Sequence, residues 1–156
     1  MTLRMIHLLA LFWMMGGLGA VMVPIWQAWR LPASDVDTRA VLLSEAQRSE
    51  TRWLLPGMLA AALTGFAWAA SDDIDPISTG WLVALEGVFL IDAFIFVPLM
   101  GVGLRRVHLL ALQASKRGEV TDELRDALAD NVPVVFGTLV VLSVPLMLWL
   151  AVFKPF

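Results

Sequence analysis

Residues 83–98 read VALEGVFLIDAFIFVP, and two carboxylic acids, Glu86 and Asp92, stand inside that apolar run. An ionised acid at the centre of a bilayer costs at least about 2.5–3.5 kcal/mol on insertion scales, so such a group faces other protein, finds partners or keeps its proton. The chemistry open to it is proton binding or the holding of a small ligand. The bland alternative is a hydrogen-bonded packing contact, and at Glu86 a side chain that reaches back to water. At about 1.5 Å of rise per residue, Glu86 lies about 8 Å inside its apolar stretch and Asp92 about 16 Å, near the midplane. His7 should share the depth of Glu86, and Thr64 and Ser143 that of Asp92. The sequence therefore predicts an outer polar layer of His7 and Glu86 and a middle layer of Asp92, Thr64 and Ser143.

Those depths assume a membrane, and the composition asks for one. The 156 residues are 59% apolar and 16% charged, with a mean hydropathy of +0.78; a soluble domain is about 45–50% apolar and about 25% charged. Four stretches approach the roughly 20 apolar residues that cross the hydrocarbon core: about 5–25, 53–70, 81–104 and 132–153. The first is too long for the apolar part of a signal peptide. The fold class expected is all-α, a four-helix transmembrane bundle forming one integral membrane domain over 1–156. Gly16, Gly17 and Gly57 are expected to let helix backbones approach closely. In the polar connectors, Ser34 with Asp37 reads as a helix start, and Thr121 as the cap of a short helix through Leu128.

Cation placement predicts orientation. The 31–52 and 105–131 connectors, with Arg30 at the edge of the first, carry nine of the eleven Lys and Arg residues, and the 71–80 turn carries none. The positive-inside rule puts those connectors in the cytoplasm and both termini outside, which fits a multi-pass protein of a bacterial inner membrane. The net charge of −3 gives no nucleic-acid footprint, and with no cysteine there are no disulfides, thiolate nucleophiles or cysteine metal sites. The partner expected throughout is the lipid bilayer, with a homo-oligomer or a membrane-complex partner open.

Only His7 and His108 are present, and the topology separates them by about the 30 Å of a bilayer core. One haem cannot take both, which leaves His7 as the candidate axial ligand, alone or with a methionine. Eight methionines leave copper(I) binding open, though Met is also a routine filler of apolar helices.

The segment IHLLALFWMMGGLGAVMVPIWQAWR resembles the first helix of a group of small membrane proteins. The group includes the CopD copper-resistance family, the HemJ protoporphyrinogen oxidases and a DUF-type four-helix branch. The likeness rests on His7, Phe12–Trp13 and Gly16–Gly17; Arg30 and the ending LWLAVFKPF fit the DUF-type branch best. The HemJ likeness implies haem b on His7 and porphyrinogen oxidation; the CopD likeness implies copper passage. The leading functional reading is a small integral membrane protein binding haem b or another small ligand in its outer half, with Glu86 and Asp92 tuning protons. The reading from another class is a cofactor-free structural or assembly subunit.

Overall fold

The computed structural model describes residues 2–72, 74–75 and 77–155, and among them every regular element is helical. Helix α1 spans Thr2–Arg30 and stops before Pro32, which has no N–H to continue the ladder. Helix α2, Val36–Ser49, runs through a π turn at Glu50–Leu54 into α3, Leu55–Ser71. Helix α4, Gly80–Ile91, runs through a second π turn at Asp92–Phe96 into α5, Val97–Arg117. A short α6, Asp122–Ala129, precedes α7, Val132–Phe153. Four helical segments are thus long and apolar enough to cross a membrane, as expected.

Both π turns precede a proline. Pro56 follows Glu50 by six residues, and Pro98 follows Asp92 by six. A proline ring inside a helix offers no N–H and collides with the carbonyl four residues back. The widened turn relieves the collision: Leu55 N–H reaches the Glu50 carbonyl and Val97 N–H reaches that of Asp92, one residue further than in an α-helix. Each acid therefore opens a π turn, a device common at functional sites.

The second and third segments are longer than expected. Val36–Ser71 and Gly80–Arg117 are unbroken helices of 36 and 38 residues. At about 1.5 Å per residue each exceeds 50 Å, against about 30 Å of hydrocarbon. The surplus projects on the side of the cationic connectors. There α2, the second half of α5, α6 and the end of α1 bury Leu43, Ala46, Val107, Ala111 and Leu124 together, and Trp29 Nε1–H donates to the Leu128 carbonyl at 3.1 Å. Thr121 caps α6 as expected, accepting from Leu124 N–H. The cap of α2 is Asp35, which accepts from Thr38 N–H, rather than Ser34. Gly118, at φ +69°, closes α5 in the left-handed conformation that glycine adopts without strain.

In the membrane half, α1 lies against α3 through glycine. A Cβ on Gly17 would sit 2.7 Å from Leu54 N, and one on Gly57 would sit 2.8 Å from Met14 Cα. Gly16, expected at the same contact, is turned away, and a Cβ there would meet no atom within 4 Å. The outer surface is apolar: Phe12 and Phe94 are each 75% exposed, and Leu63 62%. In water that would be a large apolar patch; in a bilayer it is the side that meets acyl chains.

Candidate functional site

Asp92 is 2% exposed at the start of its π turn. Ser143 of α7 meets it across the bundle: Ser143 Oγ is within hydrogen-bond reach of Asp92 Oδ2 and lies 2.7 Å from the Val140 carbonyl. A hydroxyl has one hydrogen to give and can accept two. If Ser143 donates to Val140, its contact with Asp92 needs a hydrogen on the carboxyl. A protonated Asp92 supplies it, and Ser143 Oγ, the Val140 carbonyl and Asp92 Oδ2 are then all paired. An ionised Asp92 would compete with Val140 for the one Ser143 hydrogen. Its Oδ1 is buried with no partner among the described residues. Beside it is a void of about 10 Å³, lined by Met14, Leu18, Leu54, Met58 and Phe89, about the least that holds one water.

Thr64, expected with Asp92, serves His7 instead. Its hydroxyl donates to the Ala60 carbonyl at 2.6 Å and lies 3.0 Å from His7 Nδ1; with its one hydrogen on Ala60, the matching tautomer carries the proton on Nδ1. The imidazole lies over Gly65, where a Cβ would be 3.1 Å from Cε1, and 5.7 Å from the Trp68 ring. These contacts hold His7 against α3. Glu86 is half-buried on α4, and the described residues give it no hydrogen bond, to His7 or elsewhere. The structure thus brings together His7 with Thr64 and Asp92 with Ser143; it does not join His7 with Glu86 or Thr64 with Asp92.

Above His7 the α1–α3 contact ends in a polar cluster. Arg4 pairs with Asp72 and lies 5.3 Å from the centre of the Trp68 ring, and Trp68 Nε1–H donates to Asp72 at 2.9 Å. The Arg4 hydrogen bond, then that from Trp68, holds the Asp72 carboxyl below the usual carboxylate range, so it is charged at neutral pH.

Two buried charged residues fall within a connector that sequence reading assigned to water. Arg39 is 2% exposed. Its guanidinium donates to the carbonyls of Ala28, Leu31, Pro32 and Ala33 at 3.0–3.4 Å, acceptors at and just beyond the end of α1, of which that of Pro32 also accepts from Asp35 N–H at 3.1 Å. Glu50 is also 2% exposed. Its Oε1 lies against Gly101 of α5, where a Cβ would overlap it, and its buried Oε2 has no partner among the described residues. A signal for Glu50 was present: an acid followed six residues on by proline occurs in both long helices.

His108 Nδ1 pairs with Gln47 Oε1 in the polar half. No group of three or more His, Asp or Glu side chains able to hold a metal occurs among the described residues.

A family model described as a predicted integral membrane protein (DUF2269) matches residues 1–155. The match supports the DUF-type branch and adds nothing for the CopD or HemJ likeness. No curated protein and no solved structure matches the chain.

Proposed function

We propose, taking as premise that the chain belongs to the DUF2269 family of predicted integral membrane proteins, that it is a membrane-embedded proton-binding protein with Asp92 as the proton site. One observation carries this reading: Ser143 Oγ stands between two acceptors, Asp92 Oδ2 and the Val140 carbonyl, and a proton on Asp92 satisfies all of them. In lipid vesicles at neutral pH the infrared spectrum should show a protonated carboxyl C=O band that Asp92→Asn removes and Ser143→Ala shifts. Asn keeps the size and a donor at that place, so the helices stay as they are. A spectrum unchanged by Asp92→Asn sinks the reading and leaves the cofactor-free structural subunit.

Haem b on His7 is the competing reading. Its Nδ1–H donates to Thr64, which leaves Nε2 with the lone pair that a metal ligand needs. The surroundings do not favour a porphyrin: the ring is packed against Gly65 and lies 5.7 Å from the Trp68 ring. Protein purified from haem-replete cells is expected to be colourless; a Soret band lost in His7→Ala would reinstate the haem.

The cationic connectors give the orientation we propose: both termini outside, the projecting helical half in the cytoplasm of a bacterial cell. The chain has no cysteine, so single cysteines at Asp72 and Arg117 can be tested with an impermeant label in intact cells. Labelling at position 72 alone is expected, and labelling at 117 alone inverts the topology.

A further inference from the structure

Glu50 is the charged group that the proposed function leaves unused, and it is built as Asp92 is built. Both are 2% exposed. Both open a π turn six residues before a proline, and both keep one buried carboxyl oxygen without a partner among the described residues. At Glu50 the room is made by Gly101, where any side chain would overlap Oε1. The two acids lie at different depths. The void beside Asp92 touches Leu54 and Met58, and Glu50 is one turn below Leu54, toward the cationic connectors. Leu54, 1% exposed, thus borders the void and stands one turn from Glu50 on the same helix.

We propose that Glu50 is a second proton-binding carboxyl, through which the proton on Asp92 exchanges with the water on the side of the cationic connectors. The proposal rests on the reading of Asp92 as a proton site. In the step, an O–H bond of Asp92 breaks and its proton passes to a water. That water gives a proton to the Glu50 carboxylate, so one carboxyl becomes ionised as the other becomes neutral and no electron moves. The charged groups around Glu50 favour exit on that side. Helix α1 brings no charge between Arg4 and Arg30, α5 brings Arg105 one turn beyond Gly101, and its own helix brings the exposed Arg48 and Arg52. His108, two turns beyond Gly101, is bound to Gln47.

The test is hydrogen–deuterium exchange of the Asp92 carboxyl, followed by its infrared band after vesicles of phosphatidylcholine and phosphatidylglycerol carrying the protein are moved into heavy water. Glu50→Gln should slow that exchange at least tenfold, with backbone amide exchange unchanged. Glu50→Asp should restore part of the rate. Gly101→Ala, which adds no titratable group but displaces the carboxyl, should also slow it. If the Asp92 band is present and exchanges as fast in Glu50→Gln as in the unaltered protein, Glu50 is not the route and the Asp92 reading stands. If slowing is matched by equal slowing of the amides, Glu50 acts on packing and the proposal falls. If no band belongs to Asp92, both fall together.

Discussion

Gly57→Val is expected to prevent the bundle from assembling. The new Cβ would be 2.8 Å from Met14 Cα and 2.9 Å from Met14 N, so it meets backbone and no rotamer change removes the clash. Overpacking a well-filled site usually costs about 1–3 kcal/mol, and here the neighbour is a main chain that can yield only if α1 and α3 separate. The expected loss is about 3 kcal/mol or more, read from thermal unfolding in detergent by circular dichroism. Gly16→Val is the control. Gly16 is exposed and its Cβ would meet nothing within 4 Å, so its effect should stay within about 0.5 kcal/mol, as for other surface changes. Equal stability of the two variants would mean that the glycine contact does not hold α1 to α3.

Arg39→Met should cost nearly as much. Methionine keeps the apolar stem and removes the donors. The carbonyls of Ala28, Leu31 and Ala33 would then lose their side-chain donor, while that of Pro32 keeps the Asp35 N–H. Hydrogen bonds from a charged donor contribute about 1.5–3 kcal/mol each, and since bonds sharing one side chain are not additive, a total of about 3 kcal/mol is expected. Arg39→Lys keeps the charge but replaces a planar fork with a point donor, so it should recover only part of the loss. Full recovery by lysine would show that charge, and not the fork, is what α1 needs.

The membrane elements were legible because lipid leaves so few ways to satisfy a backbone. Uncharged runs such as Met5–Ile25 announce their helix, and Thr121 announces the start of α6. Depth counting also paired Asp92 with Ser143, since both sit midway along their spans. It put Thr64 beside them, yet depth says nothing of which way a side chain turns, and Thr64 faces His7 across the α1–α3 contact. The Gly16–Gly17 pair has the same ambiguity, because adjacent helix positions point about 100° apart and only Gly17 faces α3. Arg39 was hidden for a different reason, and Glu50 was marked only by its spacing to Pro56. A stretch with this many charges reads as water-exposed, and although a helix running toward the second span is expected there, nothing local says that it packs on α5, with one charge buried under the end of α1 and the other on Gly101.

The two long helices pass from lipid into water without a break in the backbone. No loop marks the level at which one medium gives way to the other; on that face only side chains do, among them Arg48, Arg52 and Trp53 on one helix and Arg105 and Arg106 on the other. Arginine stems lie along apolar surface and extend to keep their heads hydrated. A thicker or thinner membrane is therefore met there by re-aiming flexible arms, at a cost of fractions of a kcal/mol per ångström of hydrophobic mismatch. On the opposite face α3 ends at Ser71 and α4 begins at Gly80, and Arg4 pairs with Asp72. The protein thus meets one surface of its membrane at helix ends and the other along continuous helices whose charged arms can be re-aimed.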